Sequence, residues 1–339
     1  MLQRIVFASA AVAALTAAPA AAQSVAEFYK DKQITVYSAG GPGGPHGLYA
    51  QILGPSIQKN LPGNPSVIVQ YMPGAGGTRA ANFLYNAAPK DGTVMVSPLS
   101  GIAMTSRIGG SGVRYDATRL NWIGGAEIAP ITITVMKTAG VRTLEDAKAK
   151  EVVLSASGRG SDSYVVPIVA NALFGTRFKV VTGYEGIAGI DQAVETGETQ
   201  GRAATWASIK TVRKDWIAQD RIVHLAVVSP EPEPDLPGVP LLASFARTDA
   251  ARATIDFIAA NALFGRTWVA PPEVPADRIA ALRDAYWKAL NDPETAKTLA
   301  ERNFDLRPVS WQRLTEAVER MHRTDEAVVA RIREIMGVK

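Results

Sequence analysis

Residues 67–86 run from a β-branched strand through a glycine turn into an amphipathic helix, and this unit constrains the fold most. Gly74, Gly76 and Gly77 carry no Cβ, so the turn can adopt positive φ and a ligand can approach its main chain. The helix directs unpaired N-terminal amides at the turn, where they and the helix dipole favour an anion. Taken alone, the same residues are more typical of a plain connection between strand and helix.

A second glycine turn, residues 40–47, shares this plan, because it joins a predicted strand at 33–39 to a predicted helix at 48–60. Neither turn is a common phosphate motif, since His46 and Arg79 occupy the last glycine position of G-x-G-x-x-G and no Gly-Lys-Ser/Thr follows. In alternating α/β sheets the ligand crevice lies at the carboxyl ends of the strands. Both turns are predicted to open into that crevice.

Residues 1–22 have the features of a cleavable signal peptide: Arg4 at the start, an apolar run over 5–15, and small residues at 20–22. The segment is too short and too rich in alanine for a membrane span. The chain contains no cysteine, which excludes disulfides, thiolate nucleophiles and a lipid-bearing cysteine. We therefore predict a soluble periplasmic protein that is not a lipoprotein. A net charge of +4 without basic runs argues against nucleic acid as a partner.

A chain of 339 residues is long enough for two lobes. Strands alternate with helices up to residue 126, and a short link with Pro130 then leads to a second set up to residue 228. A proline-rich linker at 230–240 precedes a C-terminal part that is predicted to be helical, with one long last helix from Ser310 to about Ile335. We predict that residues 23–126 and 229–339 form the first lobe and residues 127–228 the second.

The sequence contains no recognisable set of catalytic residues. His46, His224 and His322 are far apart and lack metal-ligand spacing, and no G-x-S-x-G elbow occurs. The acidic residues after the turn at 183–186 fit a solvated helix face better than acid-base catalysis. We predict no catalytic residues, no metal and no cofactor, and hence binding without turnover. A secreted hydrolase or isomerase acting on an organic acid is the alternative.

The second lobe offers two more turns at helix starts, residues 157–163 and 183–186. Two lobes that each aim helix N-termini into a shared cleft can clamp a small carboxylate, and aromatic rings can cover its apolar part. Tyr37, Tyr184 and Trp206 lie close to these turns. For Tyr37 and Trp206, a role in the site and a role in the core are equally consistent with the sequence.

The chain resembles the extracytoplasmic solute receptors of tripartite tricarboxylate transporters, the Bug proteins, over nearly its whole mature length. The most specific part is Pro73-Gly-Ala-Gly-Gly77 followed by Ala88-Pro-Lys-Asp-Gly92. Weaker matches are Ala39-Gly40-Gly41, Tyr115-Asp116, Gly183-Tyr-Glu-Gly186, Leu236-Pro-Gly-Val-Pro240, Val269-Ala-Pro-Pro272 with Pro275, and Asp292-Pro293.

The resemblance implies an α/β, type II-like periplasmic binding fold with two lobes, each a mostly parallel sheet flanked by helices, joined by hinge strands. It implies a receptor that closes on a di- or tricarboxylate or aromatic acid and delivers it to a carrier of one large and one small membrane subunit. The ligand would be held by main-chain amides and small hydroxyls. By position these are Ser38, Ala39, Gly40, Gly41, Gly76, Gly77, Thr78, Ser157, Ser161, Ser163, Tyr184 and Trp206.

Two departures from the family pattern bear on the ligand. Gly47 and Gln51 stand where the family commonly has Asp and Arg, and Ser161-Asp-Ser-Tyr-Val165 replaces its usual Ser-x-x-His-Leu. Together with Tyr164, Tyr184 and Trp206, these departures motivate the hypothesis of an aromatic or longer dicarboxylate. A sensory binding protein that presents its closed form to a membrane kinase is a further alternative.

Overall fold

The computed structural model describes residues 23–110 and 112–337. The predicted signal peptide, residues 1–22, lies outside the described residues. The strands form two five-stranded sheets, with orders β2-β1-β3-β10-β4 and β7-β6-β8-β5-β9. Their bounds are β1 Gln33–Ser38, β2 Ser66–Tyr71, β3 Val94–Ser97, β4 Asn121–Glu127, β5 Ile131–Met136, β6 Val152–Ala156, β7 Phe178–Thr182, β8 Gly201–Thr205, β9 Ile222–Val228 and β10 Gly265–Ala270.

Both sheets combine parallel and antiparallel pairs. In the first sheet, β1 pairs in parallel with β2 and β3, and β10 runs antiparallel between β3 and β4. In the second sheet, β6 pairs in parallel with β7 and β8, and β5 runs antiparallel between β8 and β9. The chain passes from the first sheet to the second between Glu127 and Ile131, and it returns after Val228. The exact lobe boundaries at 126/127 and 228/229 stay a prediction.

Helices cover the faces of both sheets and connect successive strands. Their bounds are α1 Val25–Tyr29, α2 Pro45–Asn60, α3 Thr78–Asn86, α4 Ile102–Ile108, α5 Asp146–Ala149, α6 Asp162–Phe174, α7 Gly186–Glu195, α8 Trp206–Val212, α9 Lys214–Ala218, α10 Asp249–Ala259, α11 Ala276–Leu290, α12 Pro293–Glu301, α13 Trp311–His322 and α14 Glu326–Met336. Among the described residues, no helix has the length and apolar character that crossing a membrane requires.

Local sequence signals explain where several helices begin. The Thr143 hydroxyl accepts the Asp146 amide at 3.1 Å and the Asp146 carboxylate accepts the Thr143 amide at 3.0 Å, which is the predicted capping box before α5. Asp292 caps α12, with Pro293 in its first turn. Ser310 caps α13 as predicted.

The predicted single last helix is wrong, because α13 ends at His322 and α14 begins at Glu326. The break occurs where the Asp325 side chain accepts the Ala327 amide and caps a new helix. The prediction also missed β10, since a strand at 265–270 was not expected in a helical C-terminal part. The strand β10 matters for the site, because it carries the charged residue Arg266 into the space between the sheets.

Candidate functional site

A cleft between the two sheets is lined by the glycine turns of both. Its outer chamber, with a cavity volume of about 890 Å³, is bounded by residues 39–41 and 73–77 from the first sheet and residues 157–161 and 184–187 from the second. An inner chamber of about 200 Å³ continues past Gly76 and Ser161 to Ser208 and Arg266. The turns that the sequence singled out thus converge on one cleft.

The turn at 73–77 approaches the opposite turn most closely at one glycine. Gly76 has φ +62°, which favours glycine, and it belongs to a single 3₁₀ turn, Ala75–Gly77. A Cβ at Gly76 would lie 3.5 Å from the carbonyl oxygen of Gly160, which belongs to the second sheet's turn. The two turns are therefore separated by little more than van der Waals contact, and a side chain larger than methyl at position 76 would meet the opposite backbone.

Four helices open onto the cleft without a side-chain cap. Gly44, Gly77, Ser161 and Glu185 are the N-caps of α2, α3, α6 and α7, and none provides a side-chain hydrogen bond to the first turn. Away from the cleft, the N-cap side chains of α10, α12, α13 and α14 each accept a main-chain N–H, whereas α9 and α11 have no side-chain cap. First-turn amides facing a cleft without a cap are free to bind an anion or water.

The serines of the second sheet's turn bond mainly to one another. The Ser161 and Ser163 hydroxyl oxygens lie 2.7 Å apart, and Ser161 donates to the Gly158 carbonyl at 2.6 Å. The Ser157 amide donates to the Ser163 hydroxyl at 3.3 Å. This network fixes the turn at the start of α6, so its hydroxyls are held in place along the cleft wall.

Nine of the twelve residues predicted to bind the ligand line the cleft. They are Ala39, Gly40, Gly41, Gly76, Gly77, Ser157, Ser161, Ser163 and Tyr184. Their role in binding stays a prediction. Tyr184 borders the outer chamber, where its hydroxyl donates to Glu198 at 2.7 Å.

Ser38, Thr78 and Trp206 do not line the cleft. Ser38 is fully buried, and its hydroxyl bonds the amide and carbonyl of Gly40, so it shapes the first turn from behind. Trp206 is buried against the residues that surround Leu236, and its indole N–H donates to Asp235 at 3.1 Å. The aromatic residue Tyr37 packs edge-on against Phe83, with ring centroids 5.0 Å apart. For Trp206 and Tyr37, the structure thus favours the core over the site.

A buried polar cluster behind the inner chamber was not predicted from the sequence. The Arg266 guanidinium pairs with the Glu127 carboxylate at 3.1 Å, and the Tyr49 hydroxyl donates to the same carboxylate at 2.7 Å. Arg266 also donates to a ring nitrogen of His46 at 2.9 Å, and its backbone has φ +51°, a strained conformation for arginine. Charged residues inside the apolar stretches that became β4 and β10 were the available signal.

His46 bridges this cluster and both chambers. Burial, and then the nearby Arg266 charge, hold the pKa of His46 well below its usual value, so its ring is neutral near pH 7. Its ring nitrogen accepts from Arg266 rather than activating a serine hydroxyl. Within residues 23–110 and 112–337, no group of three or more His, Asp or Glu side chains is placed to hold a metal ion.

Of the two departures from the family pattern at 47 and 51, the one at 47 has a local physical reason. A Cβ at Gly47 would lie 2.6 Å from the Gly41 carbonyl oxygen and 2.9 Å from the Tyr71 ring. The first glycine turn therefore folds directly over Gly47 and leaves no room for an aspartate there. The side-chain amide of Gln51 donates to the Tyr71 hydroxyl.

The sequence matches no family model and no curated protein sequence. Solved structures are nonetheless similar over nearly the whole chain. The periplasmic binding protein BugD is 18% identical with a TM-score of 0.69, covering 92% of this chain and 99% of BugD. MatC from Rhodopseudomonas palustris, solved with bound malate, is 17% identical with a TM-score of 0.65, covering 90% and 99%. A second R. palustris protein, solved with adipate, is 18% identical with a TM-score of 0.68, covering 91% and 98%.

At sequence identities of 17–18%, the similarity to these structures establishes the fold alone. The likeness to these structures, together with two mixed sheets flanked by helices, confirms the two-lobed periplasmic binding fold that the resemblance implied. The sheets differ from the predicted mostly parallel arrangement in one respect, because β10 and β5 each insert antiparallel into their sheet.

Proposed function

We propose that this protein is a periplasmic receptor that captures a small carboxylate between its two lobes and delivers it to a tripartite tricarboxylate-type membrane transporter. The observation that carries the proposal is the convergence of glycine turns and uncapped helix starts from both sheets on one cleft. Amides and dipoles at helix starts favour an anion, and two hinged halves can enclose it. Malate and adipate in two structures of the same fold support a carboxylate ligand.

The chemistry of the cleft supports binding rather than turnover. The Ser161 hydroxyl donates to the Gly158 carbonyl and lies 2.7 Å from the Ser163 hydroxyl, and His46 is engaged by Arg266, so among the described residues no histidine is placed beside a serine hydroxyl of the cleft. We assign ligand contacts to the cleft-lining turns at 39–41, 76–77, 157–163 and 184. Ser38, Thr78 and Trp206 are not part of this assignment.

A thermal-unfolding screen of the mature chain tests the proposal. The panel contains malate, adipate, citrate, benzoate and glutamate, each with its uncharged amide or alcohol as the matched control. At a hundred times Kd a ligand adds about 2.7 kcal/mol to the unfolding free energy. We expect at least one acid, and not its control, to raise the unfolding temperature and to be recovered unchanged. Stabilisation by none of the acids, or recovery of a converted product, contradicts a carboxylate receptor.

The membrane partner is tested separately. The ligand-loaded protein, immobilised through its C-terminus, is incubated with detergent-solubilised membranes of the source cells, with the ligand-free protein as control. We expect ligand-dependent capture of a carrier with one large and one small membrane subunit. Capture of a membrane kinase instead would support the sensory alternative.

A further inference from the structure

Two segments carry the chain between the two halves of the molecule, and a third segment is bonded beside them. The first crossing lies between β4 and β5, and the return segment follows β9. Residues 305–309, which join α12 to α13, run along β4. There the Arg307 amide donates to the Ala126 carbonyl at 2.9 Å, and the Val309 amide donates to the Gly125 carbonyl at 2.8 Å. The third segment is therefore fixed to the first-sheet half directly at the crossing.

The Arg307 side chain joins this third segment to both crossings. Its guanidinium donates to the Ile128 carbonyl of the first crossing at 3.1 Å and to the Glu233 carboxylate of the return segment at 2.7 Å. The Glu233 side chain is only 3% exposed, so its charge depends on this partner. Arg307 thus holds the two crossings together from the first-sheet side.

One ammonium group extends this arrangement to the second-sheet half. Lys210 lies on α8, whose first residue, Trp206, donates its amide to the Pro130 carbonyl of the first crossing at 2.9 Å. The Lys210 ammonium pairs with Asp235 of the return segment at 2.6 Å and with Asp305 of the third segment. Among the described residues, the pair with Asp305 is the one ion pair that joins an element of the second sheet to the first-sheet half.

The third segment also contacts the polar cluster behind the inner chamber. The Tyr49 hydroxyl bonds the main-chain carbonyl of Asp305 as well as the Glu127 carboxylate. Glu127 pairs with Arg266, which lines the chamber. A continuous set of hydrogen bonds and ion pairs therefore connects Lys210 at the hinge with the wall of the cleft.

We propose that Lys210 is a hinge brace: by bonding Asp305 and Asp235 together, it holds the two halves at the angle at which their glycine turns meet. The turns already approach to contact distance at Gly76 and Gly160 in the arrangement in which Lys210 makes both bonds. Without the bond to Asp305, more open arrangements gain population. The proposal rests on the receptor function only for its effect on binding, because a ligand that needs both halves binds the closed population alone.

Three variants and a control isolate the brace. Asp305→Asn removes the charge that joins the halves but keeps the main-chain carbonyl that Tyr49 bonds and the pair of Lys210 with Asp235. Lys210→Met removes the ammonium, and Lys210→Arg keeps a cation in its place. Asp220→Asn is the matched control, since it breaks the pair of Asp220 with Lys137 inside the second-sheet half.

The angle between the halves can be measured without a ligand. The chain contains no cysteine, so cysteines introduced at the exposed Lys59 of α2 and Lys179 of β7 carry the only two spin labels. Pulsed electron spin resonance then gives the distribution of distances between the halves. We expect Asp305→Asn and Lys210→Met to raise the population at longer distances by about threefold, and the apparent Kd for malate or adipate to rise as the closed population falls. Lys210→Arg and Asp220→Asn should keep the wild-type distribution.

The possible results distinguish a brace from a purely stabilising ion pair. A wild-type distance distribution in Asp305→Asn and Lys210→Met overturns the inference, even if their unfolding temperatures fall. An equal change in Asp220→Asn also overturns it, because the loss of any ion pair would then suffice. If Asp305→Asn does not fold, the comparison of Lys210→Met with Lys210→Arg decides. If none of the screened acids binds, the receptor function fails, whereas the ligand-free distances still decide whether Lys210 sets the angle.

Discussion

Replacing Gly76 by leucine tests whether the two glycine turns must approach each other for binding. A Cβ at this position already lies 3.5 Å from the Gly160 carbonyl oxygen, which is ordinary contact distance. Alanine therefore fits, whereas the further carbons of leucine meet the opposite turn and hold the cleft open. Both substitutions bear the same backbone penalty of about 1–2 kcal/mol for a left-handed φ.

Gly175→Leu is the matched control for that penalty. Gly175 has φ +74°, ends α6, and has open space around a Cβ. We expect Gly76→Ala, Gly76→Leu and Gly175→Leu to lose similar unfolding free energy without ligand. They should differ once ligand is present.

The expected effect on binding can be stated in the same free-energy terms. A ligand at a hundred times Kd stabilises the wild type by about 2.7 kcal/mol, and a tenfold loss of affinity reduces this gain to about 1.4 kcal/mol. We expect at least this reduction in Gly76→Leu and no reduction in Gly76→Ala or Gly175→Leu. The measurement is the ligand-induced shift of the unfolding temperature, with the best acid of the screen. Full ligand stabilisation of Gly76→Leu would refute the idea that these turns close on the ligand.

Three further predictions concern groups that the structure places in unusual surroundings. Glu127→Gln leaves the Arg266 guanidinium buried without its charged partner, so urea unfolding should show a loss of about 3–5 kcal/mol. Asp284→Asn, in the exposed pair with Lys288, should change stability by no more than about 1 kcal/mol, and equal losses would contradict the argument. Burial lowers the pKa of His224 to about 4, so the unfolded chain binds this proton first as pH falls below 6.5. Between pH 7 and 5 the wild type should therefore lose about 2 kcal/mol that His224→Gln does not lose, with exposed His322→Gln behaving as wild type; identical pH profiles would show that His224 is not responsible. Gly47→Asp, which restores the residue common in the resembling family, should cost about 1–3 kcal/mol because its Cβ meets the Gly41 carbonyl, whereas exposed Gln51→Arg should be tolerated. A stable Gly47→Asp variant would mean that the first turn can move away.

The pattern of helix caps links stability to binding. Away from the cleft, α12 and α13 satisfy first-turn amides with their own Asp292 and Ser310 side chains, whereas α9 and α11 have no side-chain cap. The helices around the cleft forgo this contribution, which is typically about 1 kcal/mol per cap. A bound carboxylate would supply the missing acceptors. Its hydrogen bonds to these amides would therefore both hold the ligand and stabilise the helix starts.

Local signals were enough to predict much of the fold and the walls of the site. Alternating strands and helices, the capping box at Thr143 and the glycine turns at 40–47 and 73–77 act over a few residues, so the sequence reveals them directly. Because such signals act over only a few residues, they also led to the wrong prediction of a single last helix. The apolar stripe continues past His322 and predicts one helix, whereas the Asp325 side chain caps a second helix there.

By itself, the sequence determined that glycine turns precede helix starts, because the absence of a Cβ and the unpaired amides are local properties. Only the tertiary structure decided what faces the ligand space. Trp206 turned into the core beside Leu236, while Asp162, Arg266 and His46 came together around the inner chamber from α6, β10 and the start of α2. The physical reason is that a side chain's surroundings depend on which distant strands pair. The antiparallel insertion of β10 between β3 and β4, which no local pattern encodes, brought Arg266 to the cleft.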